Sequence, residues 1–315
     1  MDRLGERILA PLARYYAPLE TVEMRISRPH HVVVERRGAG KEEFEDAELS
    51  RAKIESLARS LANKNGLVFD GEDNVKLSCV LTGGHRFECL VGNSAQSGVS
   101  LAIRCKHPFE PSWDQWGVSG EIQKYLEAAV ASEANIIVSG ATNTGKTTLL
   151  NMLLATLPVD RRIVAMEDTP ELNIDRFYDG IGLLAAREEK NGAGMVGWRE
   201  LYDHTMRITP DHILLGEIST QNAFAALAAL NSGVTGFMCT IHAESPHQVI
   251  HRKFDQNVAW AGAAMPHIPE FIQELIDVIV QIKRSADGFR RVTDIYEARN
   301  GRFVLKDGHP VREGD

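Results

Sequence analysis

Gly140-Ala-Thr-Asn-Thr-Gly-Lys-Thr-Thr148 decides how this chain is read, because of what stands on either side of it. It follows the apolar run Ala134-Asn-Ile-Ile-Val-Ser139 and precedes Leu149-Leu-Asn-Met-Leu-Leu-Ala-Thr-Leu157. Gly140, Gly145, Lys146 and Thr147 fall on every fixed position of the pattern G-x-x-x-x-G-K-[ST]. The flanks read as a strand before and a helix after, the context that gives the pattern physical meaning. The glycines let the backbone turn tightly and present its N–H groups. The helix that follows adds the positive end of its dipole. Gly140, Ala141, Thr142, Asn143, Thr144, Gly145, Lys146, Thr147 and Thr148 therefore read as a cradle for nucleotide phosphate. Lys146 is expected to reach the β- and γ-phosphates, and Thr147 to give its hydroxyl to Mg²⁺. The loop alone leaves hydrolase, kinase, GTPase and DNA translocase open, since a fold does not choose a reaction.

Downstream of the loop, strands alternate with helices. Apolar runs at 161–168, 212–218 and 237–243 read as further strands, and 121–133 as the helix that leads in. This alternation implies a mostly parallel α/β sheet. The tail at 288–299 and 301–308 reads as a strand pair joined near Asn300-Gly301. Upstream, short elements mix. Leu4, Ile8, Leu9 and Leu12 have helical spacing, 30–38 reads as a strand, and 48–66 as a helix with Gly66 at its C-terminal end. Residues 76–92 read as a hairpin around Thr82-Gly83-Gly84, and 97–105 as one more strand. The expected organisation is a small α+β N-terminal domain (1–106), a Pro-, Gly- and Trp-rich linker (107–120), and a phosphate-loop domain (121–315).

The 315 residues are 43% hydrophobic and carry a net charge of −8. An acidic chain of this kind argues against a general nucleic-acid binder, which needs clustered positive charge to neutralise phosphates. The four cysteines, Cys79, Cys89, Cys105 and Cys239, are too widely spaced for a zinc ribbon and read as free buried thiols. The N-terminus has no long apolar core of a signal peptide, and no run reaches the ~18 apolar residues of a membrane span. The expected compartment is the cytoplasm. The segment Leu4–Tyr16 interleaves basic and apolar residues, a pattern that suits either packing on its own domain or a membrane surface.

Two acidic clusters close predicted strands: Arg162-Ile-Val-Ala-Met-Glu-Asp-Thr-Pro-Glu-Leu172 and Pro210-Asp-His-Ile-Leu-Leu-Gly-Glu217. Ligands of parallel sheets lie at the C-terminal strand ends, so Glu167 and Glu217 are expected beside the strand that feeds the phosphate loop. A carboxylate there can hold the water shell of Mg²⁺ or orient an attacking water. The usual strand-end Asp is absent, and Gly216 stands in its place. His242 closes another apolar run, where an imidazole N–H can sense a γ-phosphate.

In this order, the pieces resemble the type II/type IV secretion ATPase superfamily, nearest to the hexameric traffic ATPases of type IV secretion. The acidic box of that family has the form R-I-x-x-x-E-D-x-P-E-L, matched by Arg162–Leu172. Its atypical second nucleotide motif, R-x-x-P-D-x-I-L-x-G-E, is matched by Arg207–Glu217. Its histidine box ends T-x-H-A, matched by Thr240-Ile-His-Ala243. The resemblance covers about residues 8–305. It implies a RecA-like ATPase domain, ATP and Mg²⁺ as cofactors, and Lys146, Glu217, Glu167 and His242 as catalytic residues. Glu217 would organise the attacking water, Glu167 would meet Mg²⁺ through water, and His242 would sense the γ-phosphate. Arg86 and Arg104 match family arginines that reach the phosphates from the N-terminal domain. The resemblance further implies a homohexamer at the cytoplasmic face of the bacterial inner membrane. Its partners would be membrane components and other ATPases of a secretion channel, with no sequence-specific nucleic-acid contact. Its work would be substrate transfer or pilus assembly.

Two departures stand out. Ser219 occupies the place of an arginine after the motif glutamate, and Val234 that of the first histidine of the histidine box. They keep open an ATP-gated assembly scaffold with little turnover. A pilus or competence motor of the same superfamily is a second alternative, weakened by the lack of a zinc-binding cysteine cluster. A DNA-processing enzyme is a third, disfavoured by the acidic balance.

Overall fold

The computed structural model describes residues 3–106, 111–185, 196–285 and 288–311. These fall into two compact units, one over 3–106 and the other over the remaining described residues. The expected linker at 107–120 lies outside the described residues at 107–110, and its remainder is folded into the second unit.

The first unit runs α1 (Arg3–Tyr16), β1 (Thr21–Arg28), β2 (His31–Arg36), β3 (Gly40–Glu45), α2 (Arg51–Lys64), β4 (Lys76–Val80), β5 (Arg86–Val91) and β6 (Val99–Arg104). Its six-stranded sheet has the order β3-β2-β1-β6-β5-β4. Every neighbouring pair is antiparallel. β1 and β5 alternate buried and open positions, as a sheet with one covered face requires. Helix α2 starts where Ser50 Oγ accepts the backbone N–H of Lys53, an N-cap the serine supplies without strain. Leu9, Leu12 and Tyr15 of α1 are buried in the same core as α2 and the sheet. The apolar face of α1 is therefore spent on packing, with Leu4 left exposed. Strand β3 has no apolar alternation to announce it. Its sequence GKEEFE is charged and exposed, in keeping with a sheet edge protected by charge.

The second unit opens with a 3₁₀ turn at Trp113–Trp116. It continues through α3 (Gly120–Ala131), β7 (Ile136–Gly140), α4 (Lys146–Leu154), β8 (Arg162–Glu167), β9 (Asp179–Leu184), α5 (Trp198–Thr205), β10 (His212–Ile218), α6 (Ala223–Leu230) and β11 (Met238–Ile241). Then come α7 (Pro246–Gln248), a π-helical turn (Val249–Lys253), α8 (Phe254–Trp260), α9 (Ile268–Leu275), β12 (Val278–Arg284), β13 (Arg290–Glu297), β14 (Arg302–Lys306) and β15 (His309–Pro310). The nine-stranded sheet has the order β15-β14-β13-β12-β7-β11-β10-β8-β9. It is parallel from β12 to β9. From β12 to β15 it is antiparallel. β7 and β8 are buried almost throughout, as strands covered on both faces must be. Successive residues alternate between two cores. Ile137 and Ile213 face the side of α5, α6 and α8, while Ile136 and Leu214 face the side of α3 and α4.

The mixed α/β class, an α+β domain followed by a parallel-sheet domain, is as expected. One placement is corrected. The strand beside β7 on the acidic side is β11, so Glu217 on β10 lies two strands from the loop-bearing strand and Glu167 on β8 three. The order of strands in a sheet is not the order in sequence, and nothing in the motifs states it. Because the six strands run parallel, Gly140, Glu167, Glu217 and His242 all finish at one edge of the sheet.

Candidate functional site

At that edge β7 ends at Gly140 and α4 begins at Lys146, with Gly145 as its N-cap. Gly145 has φ +91°, a backbone region open to glycine. It also has no room for a side chain, because a Cβ there would lie 2.8 Å from the Trp116 indole and 3.3 Å from Arg290 Cδ. Trp116 is 3% exposed and donates its Nε1–H to Met152 Sδ on α4 at 3.0 Å. Arg290 Nη2 lies 3.4 Å from Asn143 Oδ1, and Asn143 itself has φ +62°. Thr144 is buried and its hydroxyl donates to the Ala141 carbonyl at 2.8 Å. The loop is thus braced from behind by Trp116 and Arg290 and tied internally by Thr144.

Lys146 is 6% exposed, an unusual state for a lysine unless its charge is met. Nζ lies 3.0 Å from His242 Nδ1, 3.4 Å from Glu217 Oε1 and 3.3 Å from the Ala141 carbonyl. His242 Nε2 lies 2.8 Å from Glu217 Oε1. An ammonium has only donors, so Nδ1 accepts from Lys146 and the Nε2–H of the neutral ring donates to Glu217. Burial works against the charge of Glu217. The His242 hydrogen bond and the positive field of Lys146 outweigh it and hold the carboxyl below the usual carboxylate range. Glu217 is therefore an ionised acceptor at neutral pH. The three residues the motifs singled out as separate candidates form one contact group.

The backbone of β10 explains how Glu217 gets there. Register with β11 slips by one residue between Leu215 and Ile218, so Gly216 and Glu217 together oppose Thr240. Such a bulge re-aims a side chain. The Thr240 hydroxyl donates to the Gly216 carbonyl at 2.7 Å, and Asn222 Nδ2 donates to the Glu217 carbonyl at 2.8 Å. Gly216 stands in the place of the usual aspartate because Glu167 fills the space. A Cβ on Gly216 would lie 3.0 Å from both Cγ and Oε1 of Glu167.

Glu167 is 4% exposed. Its carboxylate accepts the backbone N–H of Glu171 at 2.8 Å and of Leu172 at 3.1 Å. It thereby folds the acidic loop that follows β8. Within the described contacts it is Glu171, not Glu167, that meets the Thr147 side chain: Thr147 Oγ1 donates to Glu171 Oε2 at 3.0 Å. Asn151 of α4 holds the same loop, donating to the Glu171 carbonyl at 3.0 Å and accepting the Asn173 N–H at 2.8 Å. Glu171 was visible in sequence as the second glutamate of Glu-Asp-Thr-Pro-Glu, four residues beyond Glu167, but no spacing rule chose between the two. Asn222 was silent, and Thr240 showed only as the first residue of Thr240-Ile-His-Ala243, because both act through backbone carbonyls.

Arg86 and Arg104 belong to the first unit, where they are register partners across β5 and β6. On the other flank of Arg104 stands Glu23, which is ion-paired with Arg25 at 3.1 Å. At the two departures from the family pattern, the Ser219 N–H is capped by Asn222 Oδ1 at 2.7 Å, and Val234 packs against the core beside α6.

A hard divalent cation fits the oxygen set of Thr147 and Glu171, and a polyphosphate fits the loop with Lys146. Among the described residues no cluster of three or more His, Cys, Asp or Glu offers an all-protein metal cage. No described helix is long and apolar enough to cross a membrane.

Comparison with known proteins gives a consistent picture. The profile of the family described as "Type II/IV secretion system protein" matches residues 94–286. A Sinorhizobium fredii protein described as a probable conjugal transfer protein TrbB is 31% identical over 303 residues, covering 93% of this chain and 88% of its own. Protein VirB11 of Rhizobium radiobacter is 28% identical over 330 residues, covering 92% and 91%. Among solved structures, the VirB11 ATPase of the Brucella suis type IV secretion system, in complex with sulphate, superposes with a TM-score of 0.50. It is 23% identical and covers 95% of this chain and 96% of its own. The pilus retraction motor PilT with bound ADP superposes with a TM-score of 0.57 at 17% identity, covering 90% and 80%. At these identities the two structures speak to the fold.

Proposed function

The chain belongs to the type II/IV secretion system protein family, and from that premise we propose that it is an ATP-hydrolysing motor of a type IV secretion system. Its relatives include conjugal-transfer and VirB11 proteins, and substrate transfer or pilus assembly is the work assigned to it here. The observation that carries the reading is the contact group Lys146–His242–Glu217 beside the phosphate loop. It places a cation, a neutral imidazole and an ionised carboxylate at one strand edge.

The loop Gly140–Thr148 would bind ATP, with Lys146 on the β- and γ-phosphates. Mg²⁺ would be held by Thr147 with Glu171 beside it, and would supply charge neutralisation on the phosphates. Glu167 would support Glu171 from behind rather than meet the metal itself. Phosphate oxygens compete with Glu217 for the Lys146 ammonium. Released from that pair, Glu217 orients the attacking water as a hydrogen-bond acceptor, while His242 Nε2–H reports the γ-phosphate. Arg86 and Arg104 are assigned to the nucleotide phosphates. The working assembly is a homohexameric ring, a closed head-to-tail arrangement, at the cytoplasmic face of the inner membrane with other components of the channel.

The test is ATP turnover across a protein concentration series with light-scattering mass, for wild type and Lys146→Ala. Turnover that rises with ring formation and vanishes in the variant supports the motor. Rings that bind ATP yet turn over no faster than Lys146→Ala favour the ATP-gated scaffold, the reading that Ser219 and Val234 support.

A further inference from the structure

Below the contact group lies a buried polar side chain that no motif singled out. Gln281 sits in the middle of β12, 1% exposed, among the buried Val278, Ile279, Val280 and Ile282, before the strand ends in the exposed Lys283 and Arg284. An amide in such a place costs free energy unless both its ends are bonded, and an apolar side chain of equal volume would need no partners. Both ends of Gln281 are bonded. Its Oε1 accepts the hydroxyl of Ser139, itself wholly buried and its register partner on β7. Its Nε2 donates to the Ala243 carbonyl at 3.1 Å, and lies 3.4 Å from the Ile282 carbonyl.

The two partners lie at telling places in the chain. Ser139 is the residue immediately before the phosphate loop, and Ala243 is the residue immediately after His242. In the order β12-β7-β11, Gln281 thus reaches past β7 to the exit of β11. One side chain fixes the start of the phosphate loop and the backbone of His242 relative to each other. Thr240 does the like for Glu217 through the Gly216 carbonyl.

We propose that Gln281 is a positioning residue for turnover: it holds the Ala243 carbonyl, and with it the His242 ring, in contact with Lys146 and Glu217. The proposal rests on the motor reading for its kinetic consequence, but its geometric claim concerns the protein without nucleotide. A supporting layer of this kind sets how closely reacting groups are held, so its loss lowers the rate of the chemical step more than it weakens binding.

The variant is Gln281→Met, which keeps volume and removes both hydrogen bonds. Ile279→Val, on the same strand and in the apolar core, is the control for a loosened sheet. The first readout is the imidazole ¹⁵N resonances of His242 in the full chain, identified by their loss in His242→Asn. The second is kcat and KM for ATP. In Gln281→Met the His242 resonances move from their wild-type positions, and kcat falls about tenfold while KM stays within about twofold. Ile279→Val leaves both unchanged at a comparable loss of Tm. Unmoved His242 resonances in Gln281→Met overturn the proposal, as does a kcat loss no larger than that of Ile279→Val. If Gln281→Met does not fold, Ser139→Ala replaces it: moved resonances support the proposal, and unmoved ones overturn it. If the wild type hydrolyses no ATP, the motor reading fails by itself and the imidazole resonances alone decide the role of Gln281.

Discussion

Glu217 is held as a carboxylate by two neighbours, and that limits what it can do. A base with its pKa below the ordinary range is a weak proton acceptor, so its value lies in orienting water rather than in storing a proton. Glu217→Gln keeps the size and much of the hydrogen bonding while removing the charge. Turnover should fall about 10²-fold or more, with the ATP dissociation constant within a few-fold of wild type; equal losses in both would contradict this role. Glu171 makes a different prediction, because its partner is Thr147. Glu171→Gln should raise the Mg²⁺ concentration needed for half-maximal turnover by about tenfold, read from a Mg²⁺ titration at saturating ATP. These two residues also mark how far the sequence carries. Lys146, Glu217 and His242 each announce themselves by motif, and the chain brings them together. That Glu171 rather than Glu167 meets Thr147 was not legible, since it depends on which carboxylate turns back to bind its own loop.

Among elements, β10 is the most informative, for it does separate work at its two ends. Its C-terminal end bulges and delivers Glu217, while its N-terminal end buries His212 completely. His212 Nδ1 lies 3.3 Å from the Gly236 carbonyl, and its Nε2 meets no hydrogen-bond partner among the described residues. Burial depresses its pKa below the ordinary 6.5, more than the Gly236 carbonyl and the field of Glu133 raise it. The folded ring stays neutral where the unfolded chain would take up a proton. Stability is therefore full above about pH 6.5 and falls as pH drops below it, by at most about 1.4 kcal/mol per pH unit from this group. His212→Asn should flatten that slope between pH 7 and 5 in thermal melts. An unchanged slope would assign the loss to other groups. The same strand shows why elements were easier to read than their order. Ile-Leu-Leu is legible as a buried strand from its apolar run, whereas its place two strands from β7 comes from crossovers that leave no local trace. β3 and β9 escaped for the opposite reason: one is charged, the other has glycine at alternate positions, and each is held by a stronger neighbour.

At the scale of the whole molecule, two compact units each carry basic residues proposed above to meet the nucleotide. In the second, Lys146 and the loop stand ready. In the first, Arg86 and Arg104 stand in register across β5 and β6. If both units act on one nucleotide, Arg86→Ala and Arg104→Ala should each lower kcat/KM for ATP by about tenfold or more. A normal kcat/KM in both variants would confine nucleotide chemistry to the second unit. The α+β and α/β halves were both legible from the change in hydrophobic period along the chain, but the end of the connecting segment was not. Its two tryptophans resemble linker composition, and one of them is instead core. The indole of Trp116, pressed on Gly145 and bonded to a methionine sulfur, is a chromophore built into the phosphate loop. Its emission colour and its shielding from a collisional quencher report the state of Gly145 without any added label. With Trp113, Trp198 and Trp260 replaced by phenylalanine, adding MgADP should change the remaining signal in the wild-type loop and leave it still in Lys146→Ala.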